Sequence, residues 1–224
     1  MLKRTVGTVC ASVVAIASGC GVYGGDPGRT TDGPLALSSD TTLFFVQVPT
    51  GDDGPKPDEL GRWWITFGGF VLCTDDPRRA PVIDEVRFDV EPQPEELNGM
   101  FRIAPEKRYW KKTDKFGEEI DWTPMLALMG RPADRFNGVQ TLGGSYVKIP
   151  DSPVDYDCSA SFEEGYIELI VELRAGDAGA WIDKTYIDYH IDDDLYTLEV
   201  DADLVACGRV VADMALERGE SCDE

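Results

Sequence analysis

The chain has 224 residues, of which 42% are hydrophobic and 10% aromatic, and its 42 acidic and 21 basic residues give a formal net charge of −21. This apolar content is sufficient to bury a core, so the composition excludes wholesale disorder, and the length favours one domain or at most two small ones. The strong negative charge disfavours nucleic acid as a partner, because it would repel the phosphate backbone. No motif in the sequence names a reaction or a ligand.

The first 19 residues have the order of parts typical of a signal peptide. Lys3 and Arg4 precede a run of small and apolar residues, 5–17, which is shorter than the roughly 20 residues that a membrane span needs. The segment ends in a sequence that resembles the lipobox of bacterial lipoproteins, Ala17-Ser18-Gly19-Cys20. That resemblance implies that Cys20 receives a diacylglyceryl thioether and becomes the mature N-terminus. Plain secretion and an uncleaved anchor are the alternatives.

Residues 20–42 are rich in Gly, Ser, Thr, Asp and Pro, and their apolar residues follow neither a helical nor a strand period. We interpret this segment as a lipid-anchored flexible tether with a root-mean-square reach of roughly 25 Å. The diacylglyceryl group on Cys20 would supply the two acyl chains that stable anchoring needs. Residues 43–224 are then predicted to form a single folded domain.

Four cysteines lie in the predicted folded domain: Cys73, Cys158, Cys207 and Cys222. An even number of cysteines in an exported chain predicts two disulfides, for which three connectivities are open. Of these we favour Cys73 with Cys158 and Cys207 with Cys222. A zinc site is disfavoured because the chain has no CxxC pair and only one histidine.

Strand patterns dominate the folded domain. Short β-rich runs occupy residues 43–48 and 63–73, and the second contains Gly68-Gly69, where we expect a bulge or a close backbone approach. Alternation in residues 82–90 predicts a half-buried strand with Val86 and Phe88 facing inward.

The cleanest alternation lies in residues 166–174. It predicts that Ile167, Leu169, Val171 and Leu173 face the core, and that Glu168, Glu172 and Arg174 face water. Residues 184–191 and 195–205 are predicted to form a hairpin over an acidic turn, Asp192-Asp193-Asp194.

Helix signals are few. One helix of one or two turns is predicted between Thr123-Pro124 and Gly130.

About eight short strands and no long helices predict an all-β fold, an antiparallel β-sandwich of immunoglobulin-like type, with a closed β-barrel as the alternative. Residues 105–153 have little periodicity, and we expect them to form a long connection within the domain.

Several features together resemble the small uncharacterised lipoproteins of high-GC Gram-positive bacteria. These are the lipobox-like sequence, the tether, the strand ending at Cys73, the Asp-rich hairpin and the Leu-Val-Ala-Cys-Gly ending at Gly208. The resemblance implies export and a lipid anchor at the extracytoplasmic face of the cell membrane, and it implies no activity.

The sequence predicts no catalytic residue, no cofactor and no metal. His190 is the only candidate base, and we expect it to hydrogen-bond to neighbouring carboxylates. Ser145 lacks the second flanking glycine of a nucleophile elbow. Three Asp-x-Asp pairs could offer oxygen ligands to calcium, but none has EF-hand spacing, so solvated turns are expected instead. These pairs are Asp155 with Asp157, Asp192 with Asp194, and Asp201 with Asp203.

Residues 107–115 depart from the acidic composition, since five of these nine residues are basic. The stretch could bind an anionic wall polymer or a headgroup, or it could stack an indole on a sugar while its charges hold a carboxylate. The candidates for ligand contact are Arg108, Trp110, Lys111 and Lys112. Of the two interpretations we favour the other, a surface loop whose charges pair with Glu118, Glu119 and Asp121.

The sequence therefore favours an exported, membrane-anchored cell-surface lipoprotein that acts by binding or as a structural envelope component, without catalysis. Its partners would be the membrane, through the lipid anchor, and a cell-wall polymer or surface protein. The alternative is an exported carbohydrate-active enzyme. Two carboxylates that converge in a cleft would favour the enzyme, whereas a face with exposed aromatic rings would favour binding.

Overall fold

The computed structural model describes residues 29–38, 43–47, 57–125, 127–132, 141–150 and 152–222. The predicted signal peptide, Cys20 and the first part of the predicted tether lie outside these residues. In the described part, two β-sheets, antiparallel except for one parallel edge pair, enclose a shared apolar core, which confirms the predicted β-sandwich. No helix among the described residues has the length and apolar character needed to cross a membrane.

Sheet I has six strands, β1 (Leu35–Leu37), β3 (Trp63–Thr74), β5 (Glu96–Ala104), β7 (Ala127–Met129), β9 (Ser145–Lys148) and β11 (Tyr166–Ala175). Sheet II also has six, β2 (Leu43–Gln47), β4 (Val82–Glu91), β10 (Ser152–Pro153), β12 (Gly179–Ile191), β13 (Asp194–Val200) and β14 (Asp203–Cys207). The order in sheet I is β1-β3-β11-β5-β9, with β7 also paired to β3. The order in sheet II is β10-β4-β12-β14-β2, with β13 also paired to β12. A short parallel pair, β6 (Ile120–Asp121) with β8 (Thr141–Leu142), lies outside both sheets.

The core lies between the two sheets and is built on the central strands β11 and β12. The four residues predicted to face inward on β11 are all buried, and they share one cluster with Ile182 and Ile187 of β12. Val86 and Phe88 of β4 pack against this cluster while half-buried, as the alternation predicts. Each aliphatic side chain that is fully buried contributes about 1.5–3 kcal/mol relative to an exposed one.

The opposite face of β11 is covered at Glu168 and Glu172, so the prediction is wrong for these two residues, whereas Arg174 is half-buried. Glu168 and Glu172 are 0% and 1% exposed, respectively. Residues 105–144, here called the β5–β9 connection, contribute groups that cover this face, such as the Met125 backbone against Glu168 and Arg131 against Glu172. Alternation shows which residues share a face of the strand, but it does not show whether another segment packs on that face. A charged side chain that has a partner can be buried, as an apolar side chain is.

The folded part begins earlier than the predicted boundary at residue 43. Leu35, in the predicted tether, is 3% exposed and belongs to β1, which pairs with β3. Upstream of it, the Arg29 guanidinium donates to the Tyr189 and Tyr196 carbonyls at 3.0 and 3.1 Å. Sequence composition alone suggested a tether here because Gly and Pro flank an apolar run of only three residues.

Two further elements differ from the sequence prediction. The predicted helix after Pro124 is instead strand β7, because Ala127 and Met129 pair with β3 opposite Phe67 and Ile65. The predicted strand 195–205 is two strands, β13 and β14, which pair with successive stretches of one edge of β12, residues 185–191 and 179–182, while β4 occupies the other edge. In both places pairing with a long neighbouring strand outweighs the local sequence signal.

The two disulfides have the favoured pairing, Cys73–Cys158 and Cys207–Cys222. The second joins the end of β14 to the segment after helix α1 (Arg209–Arg218), a helix that was not predicted from the sequence. This helix ends at Gly219, whose φ of 79° lies in the left-handed region that glycine adopts most easily. Disulfides of this kind indicate an oxidising, extracytoplasmic environment.

Candidate functional site

The candidate site is on the β5–β9 connection, and it rests on a buried ion pair of sheet I. Glu168 of β11 and Arg102 of β5 lie opposite each other in the strand register. Both side chains are 0% exposed, and Arg102 Nη1 donates to Glu168 Oε2 at 2.9 Å. A buried charge without such a partner would be strongly destabilising, so each of these residues requires the other.

The glycine pair in β3 makes room for the Glu168 carboxylate. The register of β3 against β11 shifts at Gly68 and Gly69, which confirms the predicted irregularity. Glu168 Oε1 accepts from the backbone N–H of Gly69 at 2.6 Å and of Met125 at 2.7 Å. A Cβ atom on Gly68 would lie 2.8 Å from this oxygen, so a larger residue would collide with it.

Arg102 attaches the β5–β9 connection to the sheet. Its guanidinium donates to three backbone carbonyls of the connection, those of Gly143 at 2.7 Å, Thr123 at 2.9 Å and Asp121 at 3.3 Å. Burial raises the pKa of the Glu168 carboxyl, and Arg102 together with the two N–H donors opposes that rise. Neither residue was predicted from the sequence to belong to a site, although Gly-Gly inside a strand was a signal that a bulky group lies close by.

Two tryptophans hold the tip of the connection together. The rings of Trp110 and Trp122 stack with centroids 5.5 Å apart and an interplanar angle of 4°. Trp110 Nε1 donates to the Pro105 carbonyl at 2.6 Å, and Trp122 Nε1 donates to the Lys111 carbonyl at 2.9 Å. Gly143 packs under Trp122, where a Cβ would lie 2.4 Å from the ring. One face of the Trp110 ring is therefore occupied by Trp122, and Trp110 serves to position the basic residues beside it.

We call the exposed surface of this tip the basic-aromatic patch: Lys107, Arg108, Tyr109, Lys111, Lys112, Lys115 and Phe116. All seven residues are exposed, and the two rings, Tyr109 and Phe116, are 60% and 63% exposed. The carboxylate of Asp114 accepts from the backbone N–H of Phe116 and of Glu118 at 2.7 and 3.0 Å and so closes the turn. The structure thus brings three of the four predicted contact residues, Arg108, Lys111 and Lys112, to one surface.

The predicted ion-pair partners of the basic stretch are wrong. Lys107 pairs with Glu163 and Arg108 with Glu106, all of them largely exposed. Asp121 instead accepts from the backbone N–H and the hydroxyl of its near neighbour Thr123 at 2.9 and 2.7 Å. Lys111 and Lys112 form no ion pair with any residue that the structure describes. Their charges therefore face solvent.

A cleft of about 650 Å³ lies beside the patch, with an apolar floor that includes Ile103 and Val147. Three carboxylates line this cleft: Glu106, Asp155 and Glu164. Glu106 accepts from Arg108 at 2.9 Å, and Glu164 accepts from the backbone N–H of Ser161 at 3.1 Å. Because two of the three carboxylates are held in local contacts, the cleft singles out no acid and base pair of the kind that glycosidases use.

The remaining candidate residues of the sequence lie apart from the patch. His190 Nδ1 is 2.7 Å from Asp84 Oδ1, which confirms the expected contact with a carboxylate. Arg79 donates to Asp192 in the acidic turn at 2.8 Å. In the portion of the chain that the structure describes, no three His, Cys, Asp or Glu side chains are grouped so as to hold a metal ion.

No protein-family model matches the sequence, and neither a curated protein nor a solved structure is significantly similar to it.

Proposed function

We propose that the protein is an exported lipoprotein, anchored through Cys20 at the extracytoplasmic face of a bacterial membrane, and that it binds an anionic polymer of the cell envelope. The binding surface is the basic-aromatic patch. The observation that carries this proposal is the concentration of five cationic side chains and two exposed rings at the tip of one well-fastened connection.

Charge supports the choice of an anionic partner. The chain as a whole has a net charge of −21, which repels polyanions, so a polyanion can bind only where cations are concentrated. Lys111 and Lys112 present such charges to solvent, and no described carboxylate pairs with them. Tyr109 and Phe116 add rings that are 60% and 63% exposed, and the cations of Arg108 and Lys115 lie 4.9 Å from their centroids, so that ring and charge are presented together.

The buried ion pair supports binding by a preorganised surface. Arg102 holds three carbonyls of the connection, and Glu168 holds the Met125 N–H of the same connection. A surface that is already ordered loses less conformational entropy when it binds its ligand. The patch is therefore a fixed feature of the sandwich and not an independent loop.

The length of chain upstream of the sandwich agrees with a position close to the membrane. Residues 20–28, nine residues that begin with the proposed lipidation site, precede Arg29, where the described fold begins. At 3.3–3.6 Å per residue, these residues span at most about 32 Å. The sandwich would therefore work within the envelope layers next to the membrane, where anionic polymers are attached.

Anchoring is tested by fractionating cells that express Cys20→Ala. The variant lacks the thiol that accepts the lipid, so we expect it to leave the membrane fraction. Cys10→Ala is the matched control, because it also removes a thiol from the N-terminal segment, and it should remain in the membrane fraction. Membrane retention of Cys20→Ala would contradict the anchor.

Polymer binding is tested by titrating the protein with purified polyglycerol phosphate at several salt concentrations. The double variant Lys111→Glu with Lys112→Glu should lose at least tenfold in affinity and show a weaker salt dependence. The double variant Arg78→Glu with Lys148→Glu changes the net charge equally but lies outside the patch, so it should bind nearly as the wild type does. Equal losses in both variants would show that the patch is not the binding surface.

A further inference from the structure

The sandwich has an open side between strands β4 and β5. On sheet II, β10 pairs only with Val82 and Ile83 at the start of β4. On sheet I, β9 pairs only with residues 100–103 of β5. Within the described ranges, no strand therefore pairs with the outer edge of β4 from residue 84 to 91, or with that of β5 from 96 to 99.

A groove of about 610 Å³ runs along this open side. Apolar side chains that pack against the core while remaining half-exposed line it: Val86, Phe88, Val90, Leu97 and Ile149. Edge strands with exposed apolar residues are usually shielded, because they otherwise offer unpaired backbone groups to any extended chain. The free edge of β4 spans eight residues, or roughly 26 Å at the rise of a β-strand.

The outer face of β4 carries the opposite charge to the basic-aromatic patch. Glu85, Asp89 and Glu91 alternate along the strand with one cation, Arg87, and Arg218 of α1 lines a pocket beside Asp89 and Glu91. Arg87 is already paired with Asp188 of the neighbouring strand β12, at 2.7 Å. The edge is therefore apolar toward the groove and acidic toward solvent.

We propose that the free edge of β4 binds an extended segment of a partner protein as an added strand, and that apolar residues alternate with lysine or arginine in this segment. In a strand, successive side chains point to opposite faces, so one set would fill the groove and the other would lie beside Glu85, Asp89 and Glu91. Main-chain hydrogen bonds to the β4 edge would provide affinity, and the alternate side chains would provide specificity.

Charge disfavours two other occupants of the edge. A second copy of the chain would bring the acidic faces of two β4 strands together, and each chain already has a net charge of −21. Residues 20–28 of the same chain contain no basic residue and one acidic residue. The proposal does not depend on polymer binding, since it concerns a different surface of opposite charge.

The test uses the full-length protein and a nine-residue peptide of alternating lysine and valine. We expect saturable binding, together with slower hydrogen exchange of the backbone in residues 84–91. Glu85→Lys should weaken binding at least fivefold, whereas Glu119→Lys, an equal charge change at an exposed residue of the β5–β9 connection, should have little effect. A peptide that alternates glutamate with valine should bind more weakly to the wild type and gain affinity with Glu85→Lys.

Several outcomes would overturn the proposal. The first is that the lysine–valine peptide does not bind, and the second is that a peptide with the same residues in non-alternating order binds equally well. The third is that the bound peptide slows backbone hydrogen exchange at other residues but not at residues 84–91. If the protein dimerises without peptide and backbone hydrogen exchange of residues 84–91 becomes slower, the edge binds a second copy instead. Faster exchange of the edge after deletion of residues 20–28 would assign it to that segment.

Discussion

The buried ion pair provides the sharpest prediction about stability, through the substitution Glu168→Gln. The glutamine keeps the size of the side chain and can still accept from the N–H groups of Gly69 and Met125 through its oxygen. Its amide nitrogen would face Arg102 Nη1, which now donates to Glu168 Oε2 at 2.9 Å. Two donors would then meet, and the Arg102 charge would remain buried without a counter-charge.

The expected loss is about 3–5 kcal/mol, the range for breaking a buried pair by removing one partner. The value is high because both side chains are 0% exposed, so water cannot replace the lost acceptor. Glu163→Gln is the matched control, since it breaks the exposed pair with Lys107. That pair is screened by solvent, and its loss should cost at most about 1 kcal/mol.

The free energy of unfolding is measured by denaturation in urea for the wild type, Glu168→Gln and Glu163→Gln. The same measurement is made for Arg102→Met, Glu168→Met and the double variant that combines them. Each single change leaves one charge unpaired, so the double variant should be more stable than the sum of the separate losses predicts. A cost of Glu168→Gln equal to that of Glu163→Gln would refute the role of the ion pair. Additive losses of the Arg102→Met and Glu168→Met single variants would refute it as well.

Three further predictions concern the sandwich. Leu169→Ala should cost about 2–5 kcal/mol in urea denaturation, the usual range for a buried leucine, and a loss below about 1 kcal/mol would contradict its place in the core. The hydrogen bond from Arg174 lowers the pKa of Asp58 from 3.8 to about 2, so its stabilising effect is present above pH 4 and is lost as the pH falls toward 2. The difference in thermal midpoint between the wild type and Asp58→Asn should therefore shrink between pH 4 and pH 2, and a constant difference would exclude this role. Replacing Cys207 and Cys222 by serine should cost about 3 kcal/mol, and an unchanged denaturation curve would show that the disulfide does not stabilise the fold.

The core of the sandwich could be predicted from local alternation. In β11 the period of two residues correctly placed Ile167, Leu169, Val171 and Leu173 between the sheets. The same pattern misplaced Glu168, because the segment that covers it follows β5, more than 40 residues earlier in the chain. Local patterns report which residues share a face, whereas coverage of that face depends on tertiary contacts.

The candidate site was predictable in composition but not in geometry. The excess of basic residues in 107–115 marked the patch, since charge is read directly from the sequence. The stacking of Trp110 on Trp122 was not predictable, because it depends on the path of the chain between them. Helix α1 was also missed, since only Val211 and Ala215 of its ten residues are buried, which leaves a weak periodic signal.

Photocrosslinking in living cells tests most directly whether the basic-aromatic patch meets an anionic envelope polymer. A photoreactive amino acid is placed at Tyr109, which is 60% exposed in the patch, and in a second strain at Leu216, which is 70% exposed on α1. We expect irradiation to attach phosphate- or carboxylate-rich polymer to the Tyr109 position and far less to the Leu216 position. Equal yields of polymer at the two positions, or none at Tyr109, would contradict the proposed function.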